Sequence, residues 1–265
     1  MPAFNFFYTM IIDTHTHLYV EEFDTDYKEV IQRAIDYGVE KFFLPAIDST
    51  YTERMFRLQK EYPEHMYLMN GLHPCSVKEN WQEEIAKVNA LVSAHSKDFY
   101  AIGEIGIDLY WDKTFLEAQK EAFALQIRLA KEHHLPIVIH CREAFEETFE
   151  VLEKEKSDDL FGIFHCFTGN KEQALRAISF GLKLGIGGVV TFKNGKIDTF
   201  LKEIPLEHLV LETDAPYLAP VPFRGKRNES SYLIYIVKKL VEIYNISENE
   251  IIKRTTNNAL EIFKP

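Results

Sequence analysis

Two histidines one residue apart, His15 and His17, close a short apolar run in the phrase Asp13-Thr14-His15-Thr16-His17. Residues i and i+2 of a strand point to one face, so the two imidazoles project together while Thr14 and Thr16 turn away. Such a pair suits a metal ion, although either histidine alone reads equally well as a satisfied core or loop residue. Four more ionisable residues end apolar runs in the same manner: Glu104, His140, His165 and Asp214. A buried imidazole or carboxylate without a partner is expensive, so such residues are normally paired or bound to metal. Four histidines and two carboxylates exceed the needs of one tetrahedral ion and suit two ions sharing a carboxylate. The expected division gives His15, His17 and Asp214 to one ion and His140 and His165 to the other, with Glu104 as the bridge. Mixed imidazole and carboxylate donors suit zinc, manganese or iron, with magnesium less typical. Cys141 and Cys166 directly follow two of these residues, and strand alternation turns them outward as small packing residues rather than ligands.

These residues need a scaffold that brings them to one place. Short β-like runs recur along the chain, each followed by a longer amphipathic stretch. They are Met10–Asp13, Lys41–Leu44, Tyr67–Asn70, Tyr100–Gly103, Ile137–His140, Gly162–His165, Leu182–Gly185 and Leu209–Glu212. Phe115 to His134 carries an apolar stripe of Leu116, Phe123, Ile127 and Ala130 and stops before Pro136, which predicts a helix. Ser247 with Glu250 three residues on reads as a capping box opening a final helix over Glu248–Phe263. Eight such units in about 250 residues predict a TIM (β/α)8 barrel of the α/β class. An open doubly wound sheet would normally need fewer strands and a Gly-rich first turn, which is absent. The barrel is read as a single domain over residues 10–265, with its metal site at the C-terminal ends of the strands. Residues 1–9 are read as a flexible extension or an early start; they lack Lys or Arg and make a poor signal peptide.

Two loops add candidates for substrate binding. His73, in Gly71-Leu72-His73-Pro74, ends the third run and could contact substrate or be a loop residue held by Pro74. Arg224, Lys226 and Arg227 follow the eighth run, where barrels often bind phosphate, and arginine matches phosphate geometry. The chain of 265 residues has 30 basic and 41 acidic side chains, a formal charge of −11. That balance excludes a protein that coats nucleic acid by bulk charge. No apolar run reaches the roughly 20 residues of a membrane span. Three cysteines without a CxxC point to neither a disulfide framework nor a zinc knuckle, and a reducing, cytoplasmic location is expected.

Seven phrases in order resemble the signatures of the TatD family of metal-dependent deoxyribonucleases. They are Ile12 to His17, Gly71 to Pro74, Gly103 to Asp108, His140 to Arg142, His165 to Gly169, Glu212 to Tyr217 and Arg224 to Asn228. The resemblance spans nearly the whole chain, from about Ile11 to Ile262. It implies a barrel hydrolase of the wider amidohydrolase type that binds two divalent ions (zinc, manganese or magnesium) and degrades DNA. In some members the activity is a 3′-to-5′ exonuclease on single strands. Carried over by motif, the metal ligands are His15, His17, Glu104, His140, His165 and Asp214. Ser230 stands where the family commonly has proline after Arg-Gly-Lys-Arg-Asn-Glu, which leaves the path of that loop open.

The expected reaction is phosphodiester hydrolysis by a metal-activated water. Asp214 is the expected general base, Glu104 the second catalytic carboxylate, and His73, Arg224 and Arg227 the substrate contacts. The partner is DNA ends, with neither membrane nor obligate protein partner. Two divalent ions add about +4 locally, so a focused positive patch on an acidic body is expected. One alternative keeps the site and changes the bond to an ester or amide, as in a deacylase of mischarged tRNA. Against it, bridged amidohydrolase sites often use a modified lysine on strand 4 or 5, where Glu104 and His140 stand here. A polymerase-associated phosphoesterase barrel also opens on an HxH pair, but the motifs for a third ion are missing. A metal-stabilised barrel that only binds a partner should have lost a ligand, and all six are present.

Overall fold

The computed structural model describes residues 10–265; the extension expected over residues 1–9 lies outside the described residues. Eight parallel strands are ordered as they occur in the chain. They are β1 (Ile11–Asp13), β2 (Val39–Leu44), β3 (Met66–Asn70), β4 (Phe99–Asp108), β5 (Ile137–Arg142), β6 (Gly162–Phe164), β7 (Leu182–Ile186) and β8 (Leu209–Leu211). A helix follows each of the first six: α1 (Tyr27–Asp36), α2 (Thr52–Glu61), α3 (Trp81–Ala94), α4 (Leu116–Glu132), α5 (Phe145–Lys154) and α6 (Lys171–Ser179). After β8 come α7 (Leu233–Tyr244) and α8 (Glu248–Phe263). The link from β7 to β8 holds short 3-10 turns where a strict (β/α)8 pattern would place an α-helix. Gly187, Gly188, Gly195 and Pro205 lie in that segment, and glycine and proline are the poorest helix formers.

The strands read as continuous apolar runs because both of their faces are buried. One alternating set, Ile12, Phe43, Met69, Ala101, Val138, Ile163 and Val210, fills the barrel interior together with Ala259, Ile262 and Phe263 of α8. The Phe43 and Phe263 rings stack at 3.8 Å. Their neighbours Ile11, Phe42, Leu68, Ile102, Ile137 and Leu209 pack outward with the helices. The helix boundaries follow local chemistry. Helix α4 starts one residue later and ends two earlier than its pattern predicts. The Ser247 hydroxyl caps α8 by accepting from the Glu250 N–H at 3.2 Å.

Apolar side chains fill the barrel's core, and polar ones gather where β8 meets β1. There Thr14 N–H donates to Leu211 O at 3.0 Å and Asp214 N–H to His15 O at 2.9 Å. The Asp13 carboxylate accepts from Thr213 N at 2.9 Å and Thr213 Oγ1 at 2.6 Å. This closure puts the two ends of the chain's site motifs, His15-Thr16-His17 and Thr213-Asp214, beside each other.

Strand β4 is longer than its apolar run suggests, and Glu104 is not at its end. The pairing of β4 with β5 runs from Gly103↔Val138 to Ile105↔Ile139, so Glu104 is an extra residue in the ladder. A bulge of this kind re-aims a side chain. It also carries the strand on to Asp108, whose carboxylate thereby reaches the same end of the barrel.

Candidate metal centre

Glu104 is the hub of the site. Its Oε2 lies 3.1 Å from His15 Nε2 and 3.6 Å from His17 Nε2. Its Oε1 lies 2.8 Å from His140 Nδ1, 3.5 Å from His73 Nε2 and 3.6 Å from His165 Nε2. Asp214 Oδ1 stands 3.8, 3.5 and 3.8 Å from His15, His17 and His165 Nε2. Each oxygen of one buried carboxylate therefore faces its own set of imidazoles. His15, His17 and Asp214 form one metal-capable group and His73, Glu104 and His140 another. His165 lies between them, its ring stacked on that of His15 at 3.4 Å. All six predicted ligands are brought together.

The surrounding hydrogen bonds decide which nitrogens present lone pairs. Tyr19 donates its one hydroxyl proton to Pro45 O, so its oxygen accepts from His17 Nδ1 at 2.9 Å. The His17 Nε2 lone pair is then bare toward the cluster. Asp108 Oδ2 accepts from His140 Nε2 at 2.8 Å, which leaves the His140 Nδ1 lone pair facing Glu104. Glu212 Oε1 lies 3.0 Å from His165 Nδ1, a close charge contact outside hydrogen-bond geometry that backs the ring. Carboxylates and hydroxyls behind histidines are the usual outer shell of a metal centre. His73 behaves differently. Its Nδ1 accepts the Cys75 N–H at 3.0 Å, so its Nε2 carries a proton in the neutral ring and acts as a donor.

The imidazoles of His15, His17, His140 and His165, two of them with inward lone pairs set by hydrogen bonds and two carboxylates among them, are the donor types that divalent cations take. The Nε2 atoms of His15 and His17 approach to 3.3 Å, and His15 Nδ1 is buried without a hydrogen-bond partner. Without a cation the crowd is held by protons. Burial pushes His15 down to about 4, aided by the charge of His165. Burial would also lower His140 and His165, but Asp108 with Glu104 lifts the first to about 9, and Glu212 with Glu104 lifts the second to about 10. Glu104 is buried, yet His15, His73 and His165 hold it well below the usual carboxylate range.

The cluster opens into a cavity of about 960 Å³. Arg142, Arg224 and Lys226 line it with His73, His140, Cys166, Asp214 and Trp111. The charge reading is sharpened at one residue: Arg227 does not face this cavity. Its guanidinium grips Asp26 through Nη1 at 2.8 Å and Nη2 at 2.5 Å, and lies 4.8 Å over the Phe23 ring. An arginine neutralised by a bidentate carboxylate is a fastener of its loop to the start of α1, and Lys226 takes the place expected for it. The loop's path is set by buried Asn228, whose Nδ2 donates to Thr213 O and Tyr217 O at 2.7 Å each. Ser230 is buried behind β1, its Oγ 3.5 Å from Thr16 Oγ1.

Cys166 also departs from expectation. Strand β6 ends at Phe164, and Cys166 adopts a positive φ of 42°. Strand alternation no longer applies, and its thiol joins His165 and Asp214 in a metal-capable group. Burial and the charge of Asp214 push that thiol well up, so it is a protonated lining residue. Cys141 is buried, and burial pushes its thiol up to about 12. Asp108, Glu212 and Tyr19 were not singled out from the sequence. The first two stand inside the quoted phrases, four residues after Glu104 and two before Asp214, so an acidic residue near each ligand was the available signal.

A family model described as TatD related DNase matches residues 12–264. YabD, an uncharacterized metal-dependent hydrolase of Bacillus subtilis, is 43% identical over 256 residues, covering 96% of this chain and 99% of its own. A protein of Yersinia pseudotuberculosis named 3′-5′ ssDNA/RNA exonuclease TatD is 31% identical, covering 96% and 99%. The crystal structure of YjjV, a TatD homologue of Escherichia coli, superposes with a TM-score of 0.90 at 29% identity, covering 96% and 98%.

Proposed function

The chain belongs to the TatD family of metal-dependent hydrolases, and on that premise we propose that it cleaves DNA phosphodiester bonds, acting from the 3′ end of single strands. The observation that carries the reading is Glu104, whose two oxygens face separate imidazole sets. A carboxylate so placed could be shared by two divalent ions, held with His15, His17 and Asp214 on one side and His140 and His165 on the other. Such ions would polarise a phosphoryl oxygen and acidify a water.

The chain's own residues do the rest. Asp214 is held in its ionised form: burial works against this, but the His17 contact and the charge of His165 outweigh it. With Oδ1 turned to the cluster it is placed to accept the proton of an attacking water. Arg224 and Lys226 neutralise phosphate oxygens in the cavity, and the His73 Nε2–H is a hydrogen-bond donor beside them. Asp108, Glu212 and Tyr19 position the histidines.

The test uses end-labelled single- and double-stranded DNA, with EDTA and then with Mg, Mn or Zn restored. A metal-requiring ladder shortening from the 3′ end of single strands supports the proposal. No cleavage with any metal, together with hydrolysis of a carboxylic ester or aminoacyl-tRNA, overturns it.

A further inference from the structure

Between β4 and α4 the chain exposes two large aromatic side chains in succession, Tyr110 at 49% and Trp111 at 69%. Trp111 is the most exposed large apolar side chain among the described residues. Aromatic side chains normally bury most of their surface, so an indole left open at a cavity wall calls for a ligand. The two rings meet edge-on at 4.8 Å and 88°. The Arg142 guanidinium lies 3.7 Å from the Tyr110 ring centre and 5.4 Å from that of Trp111. Trp111 and Arg142 line the same cavity as Glu104, His140 and Asp214.

This aromatic pair is tied to the metal centre through one side chain. Asp108 Oδ1 accepts the backbone N–H of Tyr110 at 2.9 Å and of Trp111 at 3.3 Å, while its Oδ2 accepts from His140 Nε2 at 2.8 Å. Arg142 follows His140 by two residues on β5. The two aromatic residues are therefore held in register with the reacting end of the cavity and do not sit on an independent loop.

We propose that Trp111, with Tyr110 and Arg142, forms a stacking shelf for one unpaired nucleobase beside the phosphate bound at the metal centre. This rests on the nucleic-acid reading given above and adds the group that selects single strands. Every base has a π face, so a flat indole flanked by a guanidinium binds bases with little regard to sequence. A base inside a duplex is stacked on its neighbours and cannot present that face without being extruded. The cations Arg142, Arg224 and Lys226 receive the flanking phosphates.

The experiment varies the shelf and the base together. Wild-type protein, Trp111→Ala and Trp111→Phe are assayed on oligothymidylate and on the same strand with an abasic 3′-terminal residue. Removing the indole should raise KM for the base-bearing strand about tenfold, with kcat changed less than about threefold, and Trp111→Phe should restore most of the loss. On the abasic strand wild type and Trp111→Ala should have equal KM, because each change deletes the same contact. Equal KM on the base-bearing strand, or equal losses on both strands, overturns the shelf while leaving DNA hydrolysis standing.

A second readout needs no turnover. The chain has two tryptophans, and Trp81 is buried, so quenching of fluorescence by an added strand reports on Trp111. A phosphorothioate oligothymidylate should quench the wild type, and its abasic counterpart should not. Quenching by neither strand, or equally by both, refutes the shelf whether or not the protein hydrolyses nucleic acid.

Discussion

Replacing Asp108 by asparagine changes one atom and tests the logic of the whole site. The carboxylate now accepts three protons: those of Tyr110 N and Trp111 N at Oδ1, and that of His140 Nε2 at Oδ2. Burial would raise its pKa, but the His140 contact and the two N–H donors hold it at about 2. Asparagine can keep Oδ1 toward the backbone donors only by turning its NH2 to His140, where donor meets donor. His140 must then move its proton to Nδ1, the nitrogen 2.8 Å from Glu104 Oε1. That removes one lone pair from the cluster. If asparagine flips instead, its NH2 faces two backbone N–H groups, which is worse. Loss of such an orienting partner weakens metal binding about 10- to 100-fold, equivalent to about 1.4–2.7 kcal/mol. The assay is a metal titration by calorimetry or chelator competition, with circular dichroism to show an intact barrel. Wild-type affinity and stoichiometry in a folded Asp108→Asn protein would falsify the tautomer argument and the assignment of His140 Nδ1 as a donor atom.

Five further outcomes are expected. Asp214→Asn should fold and melt within a few degrees of wild type yet lose about 10²–10⁴ in kcat; near-normal turnover on DNA would remove Asp214 as the base. In the metal-free protein His140 and His165, raised to about 9 and 10, carry protons at neutral pH. Metal loading should therefore expel about two protons. Calorimetry in buffers of different ionisation enthalpy measures this, and buffer-independent heats would contradict it. Both folded-state values lie above the ordinary 6.5. The stability these rings add to the metal-free fold is thus full below about pH 6.5 and fades as pH rises through 9 to 10, visible as a falling melting temperature. Finally, Arg227→Ala should cost up to about 1 kcal/mol of stability through its half-exposed pair with Asp26, with kcat/KM unchanged. Arg224→Ala should raise KM at unchanged stability, and the reverse pattern would restore Arg227 to the substrate.

Element type was readable wherever burial left a period or a run. All eight strands fall within the apolar runs or overlap them, because a parallel barrel buries both strand faces and leaves an unbroken apolar stretch. Boundaries were readable only where side-chain chemistry ends an element, as at Ser247. β4 was misjudged because Glu104 interrupts its apolar run, and a charged residue in a strand reads as its end. A bulge is a backbone event with no composition of its own. The link from β7 to β8 carried its breakers openly, in Gly187, Gly188 and Pro205, yet the eightfold rhythm outweighed them.

Residue types and order picked out the candidate ligand set, because imidazoles and carboxylates at the ends of buried runs need partners or a shared cation to be tolerable there. What the sequence could not decide is direction. Cys166 faces the cavity because of one positive φ, and Arg227 turns to Asp26, a residue 201 positions away. Which imidazole nitrogen offers its lone pair depends on Tyr19 for His17 and Asp108 for His140, contributed by two different strand ends. Strand ends far apart in the chain become neighbours only when β8 closes on β1. At that point hydrogen-bond partners, rather than residue types, separate ligand from donor and substrate contact from loop fastener.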